Sequence, residues 1–420
     1  MIDIPATLAP ASGVALRYAV TPPHADDPLW SSAVALQPVE GLKTPETDLP
    51  LSARFAGASG PSRLDALLRG AGEAVERRAL HPSAGHPARY GTAMQQDAPT
   101  LFSDYPDHAL CHEDAVTTAM SWYEARDLHT DTPVLVPADL VDWPTPSAHP
   151  TLFDPSPSGA AAGESYEAAL GAAMVEVVER DAFTVAWGRQ LRLPTYEPSP
   201  ENTSLLEMQR RAQREGITPV LARIPTALPD LWCMTACLID PDVPGALATV
   251  GMKASTDPAQ ASLKAFQEAW QVRAALRALR AQGESGLSGP IMTEHDRLCH
   301  MLNRPAYEAV CDWVADFQEP ALLPAESPTG LHPLVEKLRH ALAADGATPL
   351  AIELTPRLPM AVTSMGWCVV KVLAPGYQSL RMDESHQWSW HMPRLASASR
   401  RTGCHARLDN PLDSAPHPLP

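Results

Sequence analysis

The chain has 420 residues, 45% apolar and 19% charged, the balance of an ordinary folded protein with room for one large or two to three smaller domains. Its net charge of −17 speaks against a generic nucleic-acid-binding surface, which needs clustered Lys and Arg, but leaves a nucleotide carried with Mg2+ allowed. The opening "MIDIPATLAPASG" has neither the basic nor the apolar region of a secretion signal, and no apolar run reaches the about 18 residues of a membrane span, so the cytoplasm is the expected location.

The 44 prolines are about twice the usual share but are scattered, which reads as rigid loops. Cys111, Cys233, Cys237, Cys299, Cys311, Cys368 and Cys404 form no regular framework and are expected as reduced thiols. Neither Cys233 with Cys237 nor the dipeptides Cys111-His112, Cys299-His300 and Cys404-His405 supply four convergent ligands, so no structural zinc is expected.

Residues 1–50 show no sustained period and read as an N-terminal extension. "PSRLDALLRGAGEAVERRAL" reads as a helix, with Ser62 and Asp65 at capping-box spacing and Leu64, Leu67, Leu68, Ala71 and Val75 at helical intervals. Residues 80–130 read as loop-rich, and "TPVLVPADLVDW" as a short strand before a turn region rich in Pro, Ser and Thr. A helix of about 24 residues follows from near Glu164, preceded by the small residues "SGAAAG", whose unhindered N–H groups make an anion cue. "TPVLARIP", "LWCMTACLID" and "ALATVGMKAS" read as strands. A third long helix starts at Thr256 or Asp257 with Pro258 in its first turn, and Gly283 suits its end. Residues 284–330 look like an insertion with short helices, before a helix over 332–344, strands at "PLAIELT" and "WCVVKVLAP", and a proline-rich end. Helices mixed with strands that do not strictly alternate give an α+β layered fold.

The three long helices share an oddity. The first carries Glu73, Glu76 and Arg77, the second Glu176, Glu179 and Arg180, and the third Glu268, Gln271 and Arg273, each set among apolar neighbours. The acidic or amide residues lie three apart and so share a helix face. One such pair reads as a solvated surface; three together read as carboxylates converging on a hard cation such as Mg2+, with the arginines pairing them or holding phosphate. No Walker loop, Gly-x-Gly-x-x-Gly, His-Glu-x-x-His or Gly-x-Ser-x-Gly motif is present.

"SGAAAGESYEAALGAAMVEVVERDAF" resembles the signature of the YcaO family, a small-residue loop before a helix with Glu-x-x-Glu-Arg-Asp-Ala. "SGPSRLDALLRGAGEAVERRA", "ATVGMKASTDPAQASLKAFQEAWQVR" and "GWCVVKVLAPGYQSL" are similar to the family's first helix, third helix and late strand, in the right order over residues 50 to 420. The resemblance implies a YcaO-like catalytic domain over 51–405, with a proline-rich tail over 406–420, that binds Mg-ATP without a Walker motif. It further implies ATP-dependent cyclodehydration of Cys, Ser or Thr in a ribosomally made precursor peptide: the side chain attacks the preceding carbonyl, ATP phosphorylates the resulting oxygen, and loss of phosphate leaves an azoline. By the same resemblance Glu73, Glu76, Glu176 and Glu179 hold Mg2+, Glu268 and Gln271 add the third contribution, and Arg77, Arg180 and Ser158 meet the nucleotide. "PHPLP" is similar to the Pro-x-Pro-x-Pro tail of azoline-forming members, which puts Pro416, Pro418 and Pro420 at the active site.

Three positions depart from the family pattern: Ser59 stands where Gly-Lys-Gly has its lysine, Arg69 where a small hydroxyl residue is expected, and Ser158 where Asn is usual. They thin the contacts expected for the nucleotide. Two other functions therefore stay open, a thioamide- or amidine-forming enzyme and a degenerate scaffold subunit of a peptide-modifying complex. The implied partners are the precursor peptide, a leader-binding protein of ubiquitin-activating-like or ocin-ThiF-like type, and an azoline dehydrogenase; a homodimer is compatible with the reading.

Overall fold

The computed structural model describes residues 2–24, 27–38, 49–82, 89–104, 110–145, 152–228, 230–241, 245–319 and 331–420. Parts of the expected extension (39–48), of the Pro/Ser/Thr turn region (146–151) and of the insertion (320–330) lie outside the described residues.

Three antiparallel sheets build the molecule. The first joins β1 (Ala15–Thr21), β2 (Trp30–Leu36) and β3 (Phe55–Gly60) in that order. The largest has the order β4-β5-β11-β12-β7, with β6 beside β5; its strands are β4 (Arg89–Gly91), β5 (Met120–Asp127), β6 (Pro133–Pro137), β7 (Ala160–Gly163), β11 (Leu350–Glu353) and β12 (Cys368–Leu373). The third is β10-β9-β8, from β8 (Thr218–Ile224), β9 (Trp232–Asp240) and β10 (Leu247–Ser255). Among the described residues the helices of seven residues or more are α1 (Arg63–Leu80), α2 (Tyr166–Gly188), α3 (Thr203–Arg214), α4 (Pro258–Ala281), α5 (Glu294–His300), α6 (Arg304–Ala315) and α7 (Leu331–Ala344).

Helix α1 lies on the first sheet and α4 on the third, while α2 packs on β12 and β7 of the largest and reaches β10 of the third. The alanines of α2 explain how it serves two sheets: Ala169, Ala173, Ala182 and Ala186 are buried and let backbones approach. Its C-terminal end broadens into rings. Trp187 meets Trp313 of α6 edge to face at 5.1 Å between centroids, with Phe183 beside both. Such pairs add about 0.5–1.5 kcal/mol each beyond the area they bury.

Several sequence expectations change here. Residues 15–36, read as part of an extension, supply two strands of the sheet on which α1 lies, so the division at residue 50 cuts through one sheet. β1 is an exposed edge strand without a core-facing alternation, and β2 turns Ser32 inward, where its hydroxyl donates to Ala66 O at 2.7 Å. Residues 80–130, read as loop-rich, also contain β5 at the heart of the largest sheet, a strand the sequence reading did not name. The "SGAAAG" run holds a strand where a loop was expected: Ala160–Gly163 pair with Lys371–Cys368 of β12, and α2 starts against it, while Ser158 and Gly159 line a cleft. A Cβ on Gly163 would sit 2.6 Å from Ala169 N. The three long helices match their expected spans, opened by Ser62, Ser165 and Asp257 side chains accepting backbone N–H bonds. Among the described residues no helix is long and apolar enough to cross a membrane, and all seven cysteines are free thiols.

Gly251 of β10 marks the closest approach of α4. A Cβ there would fall 2.3 Å from both Ala265 O and Ala269 N, which are backbone and cannot swing away. Gly251→Ala should lower stability by about 1–3 kcal/mol in denaturant melts, whereas Gly289→Ala, which meets nothing within 4 Å, should leave the midpoint unchanged.

Candidate functional site

The charged positions of α1, α2 and α4 meet where the three helices come together. Arg77 of α1 donates to Glu73 Oε1 at 3.3 Å and to Glu76 Oε1 at 3.1 Å. Arg180 of α2 lies 3.5 Å from Glu176. Glu179 is buried; its Oε2 accepts from Ala254 N at 2.6 Å and from Lys253 Nζ at 3.2 Å, both on β10. Glu268 of α4 accepts from Met252 N at 2.8 Å on the same strand. The side chains of Glu73, Glu76 and Glu176 are 32%, 17% and 22% exposed, so they are partly covered and not sealed inside the core.

Electrostatics tie these groups into one set. Burial, with Glu176 and Glu73 close by and Arg77 opposing, pushes the Glu76 carboxyl up to about 8. Glu73 is raised by burial and by Glu176, against the pull of Arg77. Burial works against the Arg180 cation, but Glu176, Glu179 and Glu268 outweigh it and raise its pKa above the ordinary value. Lys253 is raised chiefly by Glu179, then by Glu176 and Glu268. Carboxylates from three helices therefore feel one another directly.

Sequence reasoning missed two lysines. Lys253 and Lys371 each stand alone in an apolar strand, the one available sign that something nearby needs a cation. Lys371 of β12 is buried, donates to Ser156 O at 2.7 Å and to Val141 O at 3.3 Å, and is brought down to about 7 by burial, with Asp142 and Glu176 opposing. Lys371 and Arg180 also line a cleft of about 920 Å³, counted to its open mouth, with Asp154, Ser158, Gln378 and Arg381. Burial raises Asp154 to about 7 although it accepts from the N–H groups of Met382 and Asp383.

Not every expected residue joins the set. Gln271, one turn beyond Glu268, is half-buried and makes no hydrogen bond to the carboxylates. Arg273 points elsewhere, into a buried pair with Asp240 at 2.5 Å. Asp181, in the same run as Glu179 and Arg180, braces the structure: it accepts from Arg394 through both oxygens and from Gln378 N at 2.8 Å. Ser158 reaches the cleft wall, not the carboxylates. The tail is packed down: Arg297 donates to His417 O at 3.0 Å, His417 Nε2 donates to Arg381 O, and Leu419 is buried while Pro420 is exposed. Pro416 is half-buried and Pro418 buried, so the segment abuts the cleft through Arg381.

Two departures from the family pattern also meet. The Arg69 guanidinium donates to the carbonyl of Ser59 and, at 3.4 Å, to Gln267 Oε1 on α4, and it lies 3.8 Å from Asp65.

A family model described as YcaO cyclodehydratase, ATP- and Mg2+-binding, matches residues 60–378. The chain belongs to the YcaO family. It is an ATP-dependent enzyme of the YcaO type, with ATP and Mg2+ as its cofactors. The YcaO from Methanopyrus kandleri bound with AMPPCP and Mg2+ is similar at TM-score 0.61 and 20% identity, over 90% of each chain. A heterocyclase in complex with substrate and cofactor gives TM-score 0.71 at 17% identity, covering 99% of this chain and 56% of that one, so this chain spans about half the heterocyclase. The E. coli microcin synthetase McbBCD complex with pro-MccB17 bound gives TM-score 0.63 at 14% identity over 86% of this chain and 88% of that one. At these identities the likeness is one of fold. A comparison with curated protein sequences finds no match.

The donor chemistry suits Mg2+: five carboxylates offer hard oxygen donors, and the Glu76 carboxyl, raised by burial and by Glu176 and Glu73, is one that added positive charge would relieve. Glu76→Gln replaces a carboxyl that must take up a proton or be buried charged on folding, so it should raise the melting temperature of the metal-free protein near neutral pH by about 2–4 °C while shrinking the further rise on adding Mg-ATP. A drop in the metal-free melting temperature would show that Glu76 is a structural partner of Arg77 instead.

Proposed function

We propose that the chain catalyses ATP-dependent cyclodehydration of Cys, Ser or Thr residues in a ribosomally made precursor peptide. The observation carrying this reading is the junction of the carboxylate set with the cleft through Arg180 and Lys371: acids suited to Mg2+ on one side, a walled cleft on the other. Bound Mg-ATP supplies the phosphoryl group that turns a backbone oxygen into a leaving group. Glu73, Glu76, Glu176, Glu179 and Glu268 position the metal, and Arg180 with Lys371 faces the charge that develops on phosphate. A lysine balanced near neutrality can also hold or release a proton beside the reacting oxygen. Segment Pro416–Pro420 organises the far wall through Arg381, in the manner of the Pro-x-Pro-x-Pro members.

The partner set supporting the reading is a precursor peptide and a leader-binding protein, since the similar microcin synthetase is a complex holding its pro-peptide. Incubating the protein with such a partner, a Cys/Ser-rich peptide and Mg-ATP should release phosphate and remove one water per ring from the peptide mass. Peptide binding with no ATP consumption would favour the scaffold reading, and sulfur incorporation from added sulfide the thioamide one.

The contact of Arg69 with Ser59 gives the departures a physical sense. In place of a cation at position 59, Arg69 of α1 brings its guanidinium to the Ser59 carbonyl, close enough to bear on Glu73. Arg69→Ala should raise the KM for ATP about tenfold with kcat little changed, as expected for binding lost equally from ground and transition states. An unchanged KM would leave Arg69 as a brace between β3 and α4.

A further inference from the structure

We propose that Glu284, His295 and Cys299 form a second metal site, of the zinc class, that fastens the loop after α4 to helix α5. Their ligand atoms lie within 4.8 Å of one another, with Cys299 Sγ 3.5 Å from His295 Nε2 and 4.0 Å from Glu284 Oε2. Ligands held at about 2.0–2.3 Å by one tetrahedral ion sit about 3.3–3.8 Å apart, so a small contraction closes the set. Thiol, imidazole and carboxylate together suit a borderline-soft ion and contrast with the all-oxygen carboxylate set. None of the three residues belongs to that set.

The local fold aims each ligand. Gly283, at φ +90, ends α4: its N–H donates to Arg280 O at 3.0 Å and that of Glu284 to Leu279 O at 3.1 Å, the double bond of a Schellman cap. Glu284 is thereby fixed just past the helix. His295 and Cys299 are four apart on α5 and share a face. The loop is tied back to α5 where Leu287 N donates to Cys299 O at 3.4 Å and Asn303 Nδ2 donates to Leu287 O at 2.7 Å. Cys299 is buried while Glu284 and His295 are exposed, which leaves the fourth position to water. Pairing Cys299 with the adjacent His300 misses this arrangement, because the helix turns His300 to another side.

The consequence reaches the tail. Helix α5 spans seven residues and is too short to hold itself together. Yet its Arg297 is fully buried and donates to His417 O at 3.0 Å, Arg381 O at 2.9 Å and Met382 O at 3.0 Å, while Glu384 accepts from it at 2.8 Å. A metal across Glu284, His295 and Cys299 would lock the helix that clamps both the tail and the cleft wall.

The test is Co2+ titration of the full chain in excess Mg2+, which keeps the carboxylate set filled. One equivalent should produce a thiolate-to-cobalt charge-transfer band that Zn2+ abolishes. Cys299→Ser should lose the band, and His295→Ala and Glu284→Gln, both at exposed positions, should weaken binding at least about tenfold, the loss that even an outer-shell partner gives. A wild-type protein with no band, or a band that survives in Cys299→Ser and is unmoved in the two exposed variants, would overturn the proposal.

Discussion

Mutual repulsion among five carboxylates, Glu179 buried and the others half-buried, is the constraint around which this molecule is built. Left to themselves, Glu73, Glu76, Glu176, Glu179 and Glu268 would drive α1, α2 and α4 apart. The structure interleaves them with Arg77, Arg180 and Lys253 and ends the lone pairs of Glu179 and Glu268 on N–H groups of β10. Most of that compensation is monodentate, so oxygens stay available for a metal. A fully satisfied set would be more stable and could not bind one.

That arrangement explains why α2 is so apolar and so finely made. It must carry Glu176 and Arg180 toward the other acids, Glu179 to β10 and Asp181 to Arg394, three directions within six residues, while packing on two sheets. Small residues on the remaining faces make this feasible. Asp181 and Glu179 look alike in the sequence, but one is closed off by a guanidinium that itself sits over the Tyr377 ring, and the other borders the cation set.

What was legible in the sequence was what local physics writes down. Caps and 3.6-residue periods gave α1, α2 and α4 nearly to the residue, and like-charged residues in apolar helices gave the acidic set. Less legible were elements whose logic is tertiary. β1 is an edge strand with mostly exposed residues, and β2 shows the core a serine whose partner lies on α1. Lys371 and Lys253 each occupy a strand that otherwise reads as plain core, and only the fold reveals that each faces carboxylates from another element. The small-residue run 159–163 is ambiguous for a similar reason: a loop that binds an anion and a strand pressed against a helix demand the same absence of side chains.

The tail poses the same problem more sharply. Alternating prolines lack N–H groups and cannot add to a sheet edge, so "PHPLP" reads as loose chain. The carbonyls remain free to accept, however, and Arg297 takes that of His417. Burial, with Arg297 beside it, brings the His417 pKa down to about 3, so the ring is neutral at any ordinary pH. Its Nε2–H then donates to Arg381 O while Nδ1 accepts from Leu419 N at 3.4 Å, which fixes the tautomer. Between the prolines, His417 and Leu419 are the residues that anchor; the prolines stiffen the path between anchors and lower the entropy lost on docking. A sequence that looks unable to fold alone is thus well suited to being held, and what holds it is the same arginine-rich wall that closes the cleft.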